Sequence, residues 1–226
     1  MQIENIGVFG MVEALRGMRN PLNSWHKADS TVVFSPENGG VVSVDIGPND
    51  RKLCAALCRG GQPHRKFLRQ ISVTMDITAP TYWWAEMDTY KVGTTRNSCS
   101  VQHKGASRDL TEEDFTFDRL EQYPKDEQFL LADDVGEIID IVNRWRQKYV
   151  ETKDYKYFRL MRQFLPMGYN YRATWSGTYE TLRNIWEWRH NHKLNEWHEL
   201  CRVIERLPGM DIFLPLNDET NGEESK

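Results

Sequence analysis

Apolar and polar residues alternate most regularly between residues 70 and 78, QISVTMDIT. Every second residue of this run is apolar, namely Ile71, Val73, Met75 and Ile77. The intervening positions are polar, including Ser72 on the outward side. A period of two residues is typical of a β-strand with one buried face. Because Ala79-Pro80 ends the run, the pattern predicts a strand over residues 70–78.

Apolar spacings of three and four residues predict several helices. These cover residues 9–19, Pro48–Arg59, 81–92, 134–150, 155–164, 178–190 and 195–206. A short helix at TEEDF begins after Thr111, whose hydroxyl suits an N-cap. β-Branched runs bounded by turn residues predict two short strands at 31–35 and 41–46. Residues 93–107 are rich in glycine and polar residues and are predicted to be a loop.

Strands come first and helices dominate the second half, which predicts an α+β fold rather than a regular βαβ array. Nothing in the sequence marks an internal repeat or linker, so residues 1–216 are predicted to form a single domain. Residues 217–226, NDETNGEESK, are predicted to be a disordered tail.

Composition excludes several functional classes. The chain has 29 basic and 33 acidic residues, a net charge of −4, which argues against general nucleic-acid binding but leaves room for a local phosphate pocket. No apolar run reaches membrane-spanning length, and the N-terminus lacks the pattern of a secretory signal. The four cysteines match no disulfide or zinc spacing. These features predict a cytoplasmic protein with reduced thiols and no membrane partner.

Two stretches carry a family resemblance. In residues 67–102, a strand ending at Ala79-Pro80 precedes a helix and the polar run TYKVGTTRNSCSVQ. In residues 161–200, MRQFLP precedes an extended segment and a helix that carries Arg189. Together they resemble the flavin-dependent thymidylate synthases, most specifically in the second stretch. The resemblance implies an antiparallel sheet with packed helices and a homotetramer.

In that family, FAD, dUMP and a folate one-carbon donor bind, and NADPH serves as a co-substrate. The resemblance therefore implies methylation of dUMP at C5 with hydride from the flavin and no enzymic nucleophile. The protein would then contribute by positioning the reactants and by stabilising the charge that develops on the pyrimidine and the flavin. Guanidinium groups suit it because they stay charged and form paired hydrogen bonds to phosphate or a uracil oxygen.

The resemblance assigns roles to six residues. Arg162, three residues before Leu165-Pro166, takes the place of an arginine that contacts dUMP. Arg189 takes the place of the catalytic arginine that contacts the uracil and helps to ionise it. Ser100 takes a substrate-binding serine position if the alignment shifts by one residue. The implied flavin contacts are Ser72, Lys91 and Asn184. Since Asn184 and Arg189 lie on neighbouring helix faces, both are predicted to reach one pocket.

This sequence also departs from the family pattern. Thr89-Tyr90-Lys91 stands at the family's Arg-His-Arg, and Glu180 replaces an arginine. Each lost charge-assisted contact is worth roughly 1.5–3 kcal/mol. Three hypotheses therefore stay open: a divergent thymidylate synthase, a nucleotide-binding relative without flavin chemistry, and a purely structural oligomer.

Several of the candidate site residues also have an ordinary structural explanation. Arg162 and Arg189 suit surface ion pairs equally well. His190 and His192 invite a metal interpretation, with His198 and Glu199 as further candidate ligands, but a metal site is not predicted. Cys99 is interpreted as an inert loop cysteine rather than a reactive thiol.

Overall fold

The structure, a computed structural model, describes residues 1–100, 106–117 and 120–215. It confirms an α+β fold in which helices pack on an antiparallel sheet. The strands are β1 (Gln2–Phe9), β2 (Thr31–Phe34), β3 (Val41–Asp45), β4 (Ser72–Pro80), β5 (Thr95–Ser98) and β6 (Asn170–Thr178). The α-helices are α1 (Met11–Gly17), α2 (Pro48–Arg59), α3 (Thr81–Met87), α4 (Lys125–Thr152), α5 (Tyr155–Phe164), α6 (Tyr179–Arg189), α7 (Asn195–Arg206) and α8 (Met210–Phe213).

The main sheet has the strand order β1-β4-β6-β5. The alternation predicted for residues 70–78 is confirmed, because each of the four apolar residues of the run is at most 1% exposed. The bounds differ, since β4 begins at Ser72 and continues through Ala79 to Pro80, which was expected to end it. Burying each such side chain stabilises the fold by roughly 1.5–3 kcal/mol. On the polar face, Asp76 accepts hydrogen bonds from Asn5 Nδ2 at 2.8 Å and Thr174 Oγ1 at 2.6 Å. These bonds join β4 to its neighbours on both sides.

The two short strands predicted at 31–35 and 41–46 are confirmed as β2 and β3, and they form a separate antiparallel pair. Thr31 pairs with Asp45, and the register shifts between Val33 and Phe34, so that Phe34 pairs with Val41.

The N-terminus differs from the prediction. Residues 2–9 form β1, which the apolar pattern does not show, and the helix predicted over 9–19 is limited to α1. Gly10 separates the two elements with φ +83°, and a Cβ there would lie 2.3 Å from the carbonyl oxygen of Gln70. The positive φ of Asn5 (51°) and the glycine at position 7 interrupt the alternation of β1. Val12 is 43% exposed, although its spacing to the buried Leu15 and Met18 is helical.

The segment after β4 differs too. The helix expected to reach residue 92 ends at Met87, because Thr89 donates both its Oγ1 and its backbone N–H to the carbonyl oxygen of Glu86. Within the predicted polar loop, residues 95–98 form β5. Its sequence, TRNS, has no apolar alternation, so only the pairing with β6 reveals it as a strand.

The contact pattern divides the chain into two compact units. The first unit comprises Met1–Gln2, Ile77–Thr89 and Asn97–Ala173; the second comprises Ile3–Asp76, Tyr90–Arg96 and the chain from Thr174. The single domain over residues 1–216 stays a prediction. The tail predicted for 217–226 lies outside the described residues. Among the described helices, none has the length and apolar character needed to cross a bilayer.

The first unit is built around α4 and α5. Their apolar faces bury Val142, Phe158 and Met161 together with Phe115. α4 begins at Lys125, nine residues before the predicted start, directly after Pro124 at its N-cap. Gly168 follows α5, where Thr116 N donates to its carbonyl oxygen at 2.7 Å. A Cβ at Gly168 would lie 2.7 Å from the Thr116 carbonyl oxygen, so this approach requires glycine.

The second unit contains a buried ion pair between Arg19, which follows α1, and Asp50 of α2. Arg19 Nε donates to Asp50 Oδ1 at 2.6 Å, and both residues are at most 2% exposed. Asp50 Oδ2 accepts from the backbone N–H groups of Asp29 and Ser30, each at 3.1 Å. A buried carboxylate is tolerated here because its lone pairs are satisfied.

Candidate functional site

A cavity of about 510 Å³ lies in the first unit, where the C-terminal end of α5, the start of β6 and the end of β5 meet. We call it the Arg162 cavity. Its lining includes Arg162, Ser98, Cys99, Ser100 and Tyr171. The volume is within the range of sites that hold small molecules.

Arg162 lies in the last turn of α5, three residues before Leu165-Pro166. Phe158 and Met161 of the same helix are buried, whereas Arg162 is exposed. Within the described part of the chain, no residue forms a hydrogen bond or ion pair with its side chain. A second hollow adjoins Arg162 and is lined by Arg159 from the same helix. The guanidinium is therefore available to an anionic ligand.

Hydroxyl groups line the cavity beside this cation. β5 ends at Ser98, and the backbone N–H of Cys99 donates to the carbonyl oxygen of Arg172 at 2.8 Å. That bond holds residues 98–100 beside β6, and Ser98 and Ser100 both line the cavity. The structure thus brings together two residues that the sequence assigned to the substrate, Arg162 and Ser100.

Aromatic residues form another part of the wall. Trp84 of α3 is 1% exposed, and its indole N–H donates to the carbonyl oxygen of Tyr171 at 3.2 Å. Its ring stacks on Tyr171 with centroids 5.6 Å apart. Nearby, Thr81 donates its N–H and Oγ1 to the carbonyl oxygen of Tyr169, each at 3.0 Å. These bonds tie the start of β6 to α3.

The charge of the cavity is set by Arg162. Tyr169 is half-buried, and burial, reinforced by the carboxylate of Asp114, raises the pKa of its phenol. The phenol is therefore neutral near pH 7. Among the described lining residues there is one guanidinium and no carboxylate. One cation, several hydroxyls and aromatic walls suit a ligand with an anionic group and a planar ring.

Arg189 belongs to the second unit and is held by aromatic side chains. Its Nε donates to the hydroxyl of Tyr90 at 2.9 Å, and its guanidinium carbon lies 4.6 Å from the ring centroid of Trp197. Such cation–π contact orients a guanidinium without neutralising it. Tyr90 therefore supports Arg189. Since Arg162 and Arg189 belong to different units, their joint binding of one ligand stays a prediction.

Asn184 is engaged in a buried network on α6. Arg65 Nε donates to both carboxylate oxygens of Glu180 at 3.1 Å, and Arg65 Nη2 donates to Asn184 Oδ1 at 3.2 Å. Arg65 and Glu180 are 8% and 6% exposed. The carboxylate of Glu180, which reverses the charge of the family pattern, is thus neutralised by Arg65, and the oxygen of Asn184 is occupied.

The other predicted flavin contacts are exposed. Ser72 is the first residue of β4, and Lys91 lies in the loop after α3 rather than at a helix end. Trp83 and Trp84 are fully buried, so neither offers a ring to a ligand.

The histidines after α6 make local contacts. His190 stacks on Trp186 with centroids 4.4 Å apart, and His192 Nδ1 accepts from the backbone N–H of Leu194 at 3.2 Å. Across the residues that the structure describes, no group of three His, Cys, Asp or Glu side chains is placed to hold a metal ion.

Sequence reasoning missed three parts of this arrangement. Ser98 joins the cavity only because β5 pairs with β6, and Tyr171 lines it only because Trp84 packs beneath. Arg65 lies in no motif and meets Glu180 across 115 residues. One indication of Arg65 was present in the sequence, namely the acidic residue at position 180, because a buried carboxylate needs a cationic partner.

No protein-family model and no curated protein sequence matches this chain. Solved structures do match it. Two crystal structures of thymidylate synthase X (ThyX) from Helicobacter pylori, each with FAD and dUMP, have TM-scores of 0.64 and 0.63. Each is 15% identical, and the match covers 95% of this chain and 97% of the other. This chain therefore has the fold of the flavin-dependent thymidylate synthase ThyX.

Proposed function

We propose that this protein binds a pyrimidine nucleotide, dUMP or a close analogue, in the Arg162 cavity. The observation that carries the proposal is an exposed guanidinium that shares one cavity with two serine hydroxyls and a tyrosine wall. The fold likeness supports it, since the H. pylori proteins were solved with dUMP.

Each group has a role that follows from its chemistry. The guanidinium of Arg162 pairs with an anionic oxygen of the nucleotide, because its planar fork matches such groups. Ser98 and Ser100 donate hydroxyl hydrogen bonds to the same region. Tyr171, fixed by Trp84, offers a ring edge or face to the base.

Replacing Arg162 with methionine is expected to weaken dUMP binding by about 10- to 100-fold, the equivalent of one charge-assisted contact. Isothermal titration calorimetry measures the change. Arg159→Met is the matched control, since it removes a cation from the same helix that does not line this cavity. Arg162→Lys should be intermediate, because it keeps the charge but loses the fork. Equal dUMP affinity in Arg162→Met and Arg159→Met would remove Arg162 from the site.

Thymidylate synthesis is the second candidate function, and the likeness to ThyX favours it. The reaction would methylate dUMP at C5 with a folate one-carbon unit, FAD and NADPH. FAD would supply the hydride. The residues assigned to FAD do not fit that cofactor well: Lys91 is the one cation of its three-residue motif, Asn184 is occupied by Arg65, and Glu180 replaces an arginine. These contacts favour nucleotide binding without flavin chemistry.

Two measurements separate the candidates. Purified protein with a flavin absorbance spectrum, together with rescue of a thymidine-requiring strain, supports the synthase. Colourless protein that is stabilised by dUMP and fails to rescue supports nucleotide binding alone. The homotetramer implied by the family resemblance is also a proposal, and light scattering of the purified protein measures it.

A further inference from the structure

A smaller cavity of about 250 Å³ lies within the second unit, lined by residues of α2, α6 and α8. We call it the Arg183 cavity. Among the described residues that line it are the arginines 51, 59 and 183 and one acidic residue, Asp211. It shares no residue with the Arg162 cavity.

Arg183 is the most informative of these residues. It is 6% exposed, and its Nε is buried without a hydrogen-bond partner in the described part of the chain. Its Nη1 donates to the carbonyl oxygen of Phe213, and no carboxylate among the described residues forms an ion pair with it. A buried guanidinium without a counter-ion is costly, and proteins retain one where an anion compensates it.

The remaining cations come from one face of α2. Arg51, Ala55, Cys58 and Arg59 follow the helical spacing of 4, 3 and 1 residues, so they point toward the cavity together. Ala55 is small and leaves space between the two arginines. Asp211 Oδ2 lies 3.5 Å from Arg51 Nη1, and both side chains are more than half exposed. It therefore compensates Arg51 in part and leaves Arg59 and Arg183 to a ligand.

Cys58 contributes no negative charge to the lining. Burial raises the pKa of its thiol, although Arg183 and Arg65 oppose that shift. Desolvation also lowers the pKa of Arg183, reinforced by the nearby charge of Arg65. A bound anion would offset both the cost of desolvating Arg183 and its repulsion from Arg65.

We propose that the Arg183 cavity binds a small phosphorylated molecule through its phosphate group, at a site separate from the Arg162 cavity. Arg183 forms the buried end of the site and Arg59 the open end. The volume admits a phosphate with a small organic part rather than a dinucleotide.

Inorganic phosphate is the probe. The melting temperature of the full chain is measured across a phosphate titration, with chloride added to keep the ionic strength constant. A ligand that binds the native state raises the melting temperature. We expect a saturable rise in wild type and at least about tenfold weaker phosphate binding in Arg183→Met, the loss of one charge-assisted contact. Arg59→Met, at an exposed position, should weaken binding as well and keeps the test valid if Arg183→Met does not fold.

Two control variants make the result specific. Arg206→Met removes an exposed cation of α7 outside the cavity and should bind phosphate as wild type does. Arg162→Met should also retain phosphate binding, whatever its effect on dUMP. The proposal is overturned if wild type shows no saturable rise, if both Arg183→Met and Arg59→Met bind like wild type, or if Arg162→Met alone abolishes binding.

Discussion

Replacing Glu180 with alanine is expected to lower the free energy of unfolding by about 3–5 kcal/mol, because it leaves the buried guanidinium of Arg65 without its counter-ion. Arg65 Nε donates to both oxygens of Glu180, and both residues are buried. Urea denaturation followed by far-ultraviolet circular dichroism measures the loss.

Two variants give this result its meaning. Glu187→Ala removes an exposed acidic residue from the same helix and should change stability by no more than about 0.5 kcal/mol. The double variant Arg65→Met with Glu180→Leu should recover most of the loss, since replacing a whole buried pair by apolar residues is often neutral. If Glu180→Ala were as mild as Glu187→Ala, the pair would not be buried in solution.

Replacing Trp84 with alanine is expected to lower the free energy of unfolding by about 3–5 kcal/mol, as large-to-small changes at fully buried aromatic residues do. Trp84 also packs edge-on against Trp83 at 5.0 Å and supports Tyr171 through both its ring and its N–H. Removal of the Trp84 side chain therefore disturbs both the core and a wall of the Arg162 cavity. Thermal and urea denaturation both report it.

Trp84→Phe tests the hydrogen bond separately. It keeps most of the apolar volume but leaves the carbonyl oxygen of Tyr171 without the indole donor, so a smaller loss of about 1–3 kcal/mol is expected. Trp188→Ala is the control, because Trp188 is 77% exposed. A loss of stability in Trp84→Ala no greater than that in Trp188→Ala would contradict the burial of Trp84 in the core.

The parts of the fold that follow from local pattern were predictable. The alternation around β4 and the apolar stripes of α2, α5 and α7 were sufficient because each element buries one regular face. β1 and β5 were not predictable in this way. Asn5 and Gly7 break the period of the first, and the polar sequence TRNS of the second becomes a strand only by pairing with β6.

The candidate site was predictable only where family spacing marked a residue. Arg162 and Ser100 come from such spacing, and they meet in one cavity. Family spacing also identified Asn184. It gives no information on Arg65, which is 119 residues away in the sequence and donates a hydrogen bond to Asn184 Oδ1. Arg183 was not marked at all, since its significance arises from burial without a carboxylate, a property of packing rather than of sequence.

Cys99 allows a direct test of dUMP binding in the Arg162 cavity. It is the one exposed cysteine of the four and lies in the cavity lining. Burial raises the pKa of Cys54 and of Cys201 to about 12, and it raises that of Cys58 as well. Since the thiolate is the reacting form, a thiol reagent should modify Cys99 first in the native protein.

The decisive measurement is the rate of Cys99 modification across a titration of dUMP, with peptide mass spectrometry to identify the labelled residue. We predict that dUMP slows labelling of Cys99 saturably, with a midpoint equal to the Kd from calorimetry, and that Arg162→Met shifts this midpoint to higher dUMP concentration. Calorimetric binding of dUMP that leaves the labelling rate of Cys99 unchanged would place the nucleotide elsewhere and contradict the proposed site.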